Sequence, residues 1–146
     1  MINYLEYLEK VIHTTVFATI DESGKPSTCV IDIMHSDDNA LYFLTAKTKN
    51  FYLRLKNNEN VAITGLKGTD TMSSSSINIR GKAKEIGSDL VLDIFNKNTY
   101  TYDIYPDEES LKILTVFKVY EGSGEFFDLS QKPIFRESFS FNEENK

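Results

Sequence analysis

The chain has 146 residues, of which 40% are hydrophobic and 12% aromatic, enough for one globular domain (1–146) with a substantial core. A formal charge of -6 argues against nucleic acid or an anionic membrane surface as the main partner, so any anion must be met by a local basic pocket. The single cysteine, Cys29, excludes an internal disulfide framework; no apolar run could span a bilayer and no secretion-signal order opens the chain, so the cytoplasm is the expected location.

Ile2, Leu5, Leu8 and Ile12 recur at three- and four-residue intervals, which predicts an amphipathic helix over the first dozen residues. Residues 14–21 then turn to β-branched and aromatic types, Gly24 lies in a turn, and residues 26–34 resume strand character, a β-hairpin. A third strand is expected over 40–45, a short amphipathic helix over 50–57, and a fourth strand over 60–66. Residues 67–76, with four consecutive serines, read as a loop or a strand edge. A strand over 77–86 and a helix over 88–98, with Ser88 as cap, follow. Residues 112–120 and 125–129 read as two strands joined by a turn at Glu121-Gly122-Ser123-Gly124, and a polar tail starts near residue 142. Around six strands in hairpin order with three short helices predict a mostly β chain, a small antiparallel barrel whose closure removes exposed edges.

The stretch Leu41-Tyr42-Phe43-Leu44-Thr45-Ala46-Lys47-Thr48-Lys49 carries the strongest functional signal. It runs a strand into a polar turn just ahead of a helix, where unpartnered N–H groups and the positive end of the helix dipole meet the hydroxyls of Thr45 and Thr48 and the charge of Lys49. That combination suits a phosphate. The plainer alternative makes Thr48 an N-cap and Lys49 a solvated lysine.

Other polar groups point less sharply. His13 and His35 lack a third ligand and read as surface or capping residues, so no metal is expected. Asp32 reads as a solvated carboxylate, and Arg136 as a surface ion-pair partner. Arg80 reaches a ligand, an interface carboxylate or solvent. Tyr100, Tyr102 and Tyr105 cover a ligand, pack across a subunit interface or shield the core, and the serines at 73–76 line a cleft or a mobile edge.

Taken together, Phe17-Ala18-Thr19-Ile20-Asp21, Gly24-Lys25-Pro26, Leu41-Tyr42-Phe43-Leu44-Thr45 with Lys49, Asn60-Val61-Ala62-Ile63 and Ile79-Arg80-Gly81-Lys82-Ala83 resemble the pyridoxamine 5′-phosphate oxidase-like flavin-binding split barrels. The resemblance runs from about Ile2 to Leu129. It implies a six-stranded antiparallel split barrel that forms a homodimer and holds flavin mononucleotide (FMN) in two equivalent interface clefts. It further implies that Leu44, Thr45, Ala46, Thr48 and Lys49 grip the cofactor phosphate and that Ser27, Thr28, Cys29 and Val30 lie along the flavin ring; Arg80 is a further candidate for cofactor binding. Backbone groups of an exposed strand edge satisfy the ring's pyrimidine side. Cys29 reads as a small core residue rather than a nucleophile.

The arginine-rich C-terminal stretch of the vitamin-processing enzymes is replaced by Phe135-Arg136-Glu137-Ser138-Phe139, which argues against oxidation of pyridoxamine phosphate. The expected activity is an FMN-dependent oxidoreductase that passes a hydride through flavin N5 to or from a small molecule, with a nicotinamide electron donor. The alternatives are a flavin-binding or stress-associated module without turnover, or a barrel that holds haem.

Overall fold

A computed structural model describes residues 2–143. The chain opens on α1 (Tyr4–Tyr7), which widens into a π-helical turn, Leu8–Ile12, and then gives the hairpin β1 (Thr14–Ile20) and β2 (Pro26–Asp32). Asp21 builds the hairpin turn by accepting from the N–H groups of Ser23 and Lys25, and Gly24 takes the left-handed conformation the turn needs. Next come the two-residue β3 (His35–Ser36), β4 (Leu41–Ala46), α2 (Asn50–Asn57) and β5 (Asn60–Lys67). A 3₁₀ turn at Thr71–Ser73 leads into β6 (Ser75–Gly87), followed by α3 (Val91–Lys97), α4 (Thr101–Ile104), α5 (Glu108–Lys112), β7 (Leu114–Asp128) and β8 (Phe135–Asn142).

All strands join one antiparallel, curled sheet in the order β2-β1-β5-β6-β7-β4-β3, with β8 on the outer half of β7. The mostly β split barrel is therefore as expected, but it has eight strands rather than six. The short β3 and the late β8 are the strands not expected, while a merger of two expected strands works the other way. The segment 121–124 is no turn: β7 runs straight through it, and neither Gly122 nor Gly124 has a positive φ. Glycine stands there because the strands crowd; a Cβ on Gly124 would lie 2.6 Å from the Asn78 carbonyl oxygen. In β8, Phe135, Phe139 and Phe141 pack on or within the barrel core, but Glu137 breaks the apolar alternation. It is held by the Tyr4 hydroxyl. Neither α3 nor its cap matches the expected start at Ser88, since Leu90 occupies the cap position without a side-chain bond.

Alternation decides the core. On β1, Thr15, Phe17 and Thr19 face inward while Thr14 and Val16 are exposed. The barrel interior gathers Phe17, Phe43, Phe117, Ile63, Ile77 and Ile79. A second cluster packs α3 against the other face of β4, with Tyr42, Ala46, Ile94, Phe95, Leu114 and Val116. Burial on both faces explains why β4 is apolar almost throughout.

The barrel is split between β2 and β4. β2 pairs with β1 alone and β4 with β3 and β7, so no ladder joins the two across the gap. The Met34 N–H bonds the Tyr42 carbonyl at 2.9 Å and closes the lower end. The upper end, where β2 begins and β4 hands over to α2, stays open.

Candidate functional site

The open edge of β2 is one wall. Two bonds bracket its ladder with β1: Asp21 N–H to Lys25 O at 2.9 Å and Ile33 N–H to His13 O at 2.7 Å. With pairs Thr19–Ser27, Phe17–Cys29 and Thr15–Ile31 in register between them, Ser27, Cys29 and Ile31 direct their backbone groups to β1. The N–H and C=O of Thr28 and Val30 therefore point off the edge into the split. Their side chains face outward, Val30 being 66% exposed, while Cys29 and Ile31 pack on the core. Burial pushes the Cys29 thiol up, against the weaker opposing pull of Arg54 and Lys49, so it is no thiolate nucleophile.

The turn after β4 is the second wall. Lys49 N–H closes it onto the Ala46 carbonyl at 3.1 Å, and Lys47 N–H bonds Ile113 O at 2.7 Å. Lys49, not Thr48, is the cap of α2; its backbone is extended and its side chain makes no capping bond. The N–H groups of Asn50, Phe51 and Tyr52 consequently have no protein partner among the described residues. Nor does the Lys49 ammonium, or the exposed Thr48 hydroxyl. Thr45, by contrast, is buried to 2% exposure, and the side chains of Leu44 and Ala46 belong to the second core, leaving only their backbones for a ligand.

Arg54 escaped the sequence reading because an arginine in an amphipathic helix ordinarily faces water. Here its Nε–H donates to the Oγ1 of Thr19, itself only 1% exposed, at 2.7 Å. No carboxylate pairs with its terminal nitrogens among the described residues. Arg54 stands one turn beyond Asn50 on α2. Arg54 and Lys49 both act electrostatically on Cys29 of β2, and Arg54 also on the Asp21 carboxylate at the hairpin turn.

Arg80 lies elsewhere. The register carries one outward row across the sheet from Thr28 through Ala18 and Ala62 to Arg80, Ser123 and Ser140. Three strand spacings, roughly 14 Å, separate Arg80 from Thr28. It lines a groove of about 830 Å³ on the outer face, over a floor that includes Ala18, Ile20 and Ala62.

The remaining candidates have structural roles. Tyr102 and Tyr105 pack on Phe95, Ser75 meets the Tyr7 hydroxyl at 3.0 Å, and Arg136 stacks on Phe127. Asp32 is not simply solvated: it accepts from Tyr100 at 2.7 Å. His35 contacts Lys97, whose ammonium pairs with buried Glu9 at 2.8 Å. No helix among the described residues is long and apolar enough to cross a membrane.

Comparison with known proteins agrees on the architecture. Of solved structures, a NimC/NimA family protein from Clostridium acetobutylicum superposes with a TM-score of 0.74 at 19% identity, covering 94% of this chain and 90% of that one. A haem-binding protein from Mycobacterium smegmatis gives 0.67 at 12%, covering 97% and 57%. A pyridoxamine 5′-phosphate oxidase-related, FMN-binding protein from Nostoc punctiforme gives 0.61 at 11%, covering 95% and 93%. No curated protein matches. The family model for pyridoxamine 5′-phosphate oxidase matches residues 5–120, most of the chain, and the protein belongs to that family.

Proposed function

We propose that the protein binds FMN without a covalent link and acts as a flavin-dependent oxidoreductase on a small molecule. One observation carries this reading: α2 opens on three partnerless N–H groups, with Lys49 at its cap and Arg54 one turn on, neither in an ion pair, near an unpaired strand edge. A phosphate monoester satisfies the first set, and the ring's alternating acceptors and donor match the N–H and C=O groups of Thr28 and Val30. The FMN-binding relative of the same fold supports the choice of ligand. Bound flavin supplies two-electron chemistry at N5, while this chain positions it and excludes water.

A second copy of the chain completes the cleft in this reading. The outer face that carries Arg80 also exposes Val16, Val30 and Leu66 at 42, 66 and 61%, an apolar surface suited to another sheet. Light scattering is expected to give twice the 16.7 kDa chain mass.

The absorption spectrum of freshly purified protein, with mass spectrometry of the molecule it releases, tests the ligand. Flavin bands and the mass of FMN are expected; a haem Soret band rejects the reading. Reduction by NADH or NADPH with reoxidation faster than free flavin marks an enzyme, and no acceleration across a broad acceptor panel marks a binding module. Arg54→Gln is expected to weaken FMN by roughly 1–1.5 kcal/mol in a fluorescence-quenching titration. Unchanged affinity removes Arg54 from the site.

A further inference from the structure

Arg80 stands alone on the outer face of the sheet. It has no hydrogen bond or ion pair within its own chain among the described residues, whereas its neighbours are engaged. Lys82 pairs with Glu59 at 3.6 Å, Asn78 meets Thr64 at 3.0 Å, and Glu125 pairs with Arg136 at 3.8 Å. Across β2, β1, β5 and β6 the outward row reads Thr28, Ala18, Ala62, Arg80, so the guanidinium is the one long side chain of that row. It rises from the groove of about 830 Å³ whose floor includes the two alanines. Charge is one-sided here: β6 carries Arg80 and Lys82 outward, while Pro26, Thr28 and Val30 of β2 carry none.

This face cannot meet a copy of itself in many ways. Two sheets packed about a two-fold axis approach closest where their side chains are smallest, at the Ala18–Ala62 pair, midway between Thr28 and Arg80. An axis through that pair running across the strands stacks every residue of the row on its own copy and sets two guanidinia against each other. An axis running along the strands exchanges β1 with β5 and β2 with β6. Ala18 then meets the partner subunit's Ala62, Val16 the partner subunit's Thr64, and each Arg80 enters the groove of the other copy above Thr28. Among these rows no charge faces a charge of like sign.

We propose that two copies pack outer face to outer face about an axis along the strands between β1 and β5, so that Arg80 of each chain completes the flavin site of the other. This rests on the reading that a second copy closes the cleft, and it says which residue the copy brings. Thr28 is where backbone groups leave the β2 edge for the ring's pyrimidine side, and that side of a reduced flavin gathers negative charge. Within one chain Arg80 is roughly 14 Å, three strand spacings, too far along the sheet to serve there. The symmetry carries it across.

A charge exchange in the flavin-free protein tests the register. Thr28→Lys is expected to weaken dimerisation about a hundredfold in sedimentation equilibrium, because the two-fold repeats the clash with Arg80 at both ends of the interface. Adding Arg80→Glu to Thr28→Lys is expected to bring it back to within about threefold of the wild type. Overall charge does not explain such a rescue, since the double variant is the more acidic. Nor does a contact within one chain, because roughly 14 Å exceeds the Debye length of about 8 Å at physiological salt. If Thr28→Lys fails to fold, Thr28→Asp decides: it should tighten the dimer, and Arg80→Gln should abolish the gain.

A Thr28→Lys dimer as tight as the wild type, or a double variant no tighter than the single, overturns the register and leaves the flavin reading standing. A wild type that stays monomeric overturns the register together with the second-copy reading. In the flavin-bound dimer, at concentrations that keep it assembled, Arg80→Gln is expected to weaken FMN and riboflavin alike, about fivefold. Unchanged affinity for both, or a loss for FMN alone, overturns the place of Arg80 beside the ring.

Discussion

Lys97→Met is expected to cost about 2–3 kcal/mol of folding stability at pH 7, because it strips the cation from a largely buried carboxylate. Glu9 is 7% exposed; its carboxylate is 2.8 Å from the Lys97 ammonium and accepts from the Ser36 hydroxyl at 2.9 Å. Burial pushes the Glu9 carboxyl up, but the bonds from Lys97 and Ser36 outweigh it and leave the group below its ordinary value of 4.5. A carboxyl lowered by folding contributes stability that is present above the unfolded value and lost as pH falls through the folded one. The variant should therefore suffer most at neutral pH and approach the wild type in acid, well below pH 4.5, as Glu9 takes up a proton. Urea unfolding in the two pH ranges measures this. The figure sits at the low end for buried pairs because Lys97 is itself 40% exposed and Ser36 remains. A cost independent of pH would mean that the ammonium matters only as packing.

Lys49→Ala is expected to weaken FMN by 1.5 to 3 kcal/mol, about the value of a charge-assisted bond, while barely changing riboflavin. The contrast follows from the wall geometry. In the proposed binding mode Lys49, at the α2 start, meets only the phosphate, whereas the ring is met by backbone groups of β2 that the substitution leaves untouched. The apoprotein should keep its stability, since the Lys49 side chain has no protein partner to lose. Paired fluorescence titrations with the two flavins check the difference, and equal losses for both would mean that Lys49 acts on the fold or on the ring.

How far the sequence alone reveals this molecule depends on whether a signal is local. The strand-turn-helix order at Thr45 to Asn50 is visible because hydroxyls, a cation and a helix start follow one another along the chain. The β2 edge is visible only as a strand; that its far side is unpaired depends on β4 pairing with β7 some seventy residues later. Gly122 and Gly124 mislead for a related reason, as glycine marks both tight turns and close strand crossings, and only the positions of Phe141, Arg80 and Asn78 decide between them. Arg54 and Asp32 show the same limit in polar form. Each reads as solvent-facing until a residue distant in sequence, Thr19 for the first and Tyr100 for the second, is brought to it.

A crystal structure with bound FMN would show where the doubly charged group docks. The expected result is a phosphate within hydrogen-bond distance of the N–H groups that open α2 and of the Lys49 ammonium, with the ring's pyrimidine side along Thr28 and Val30. A phosphate seated on Arg80 in the outer groove, with the α2 terminus bare, would contradict it.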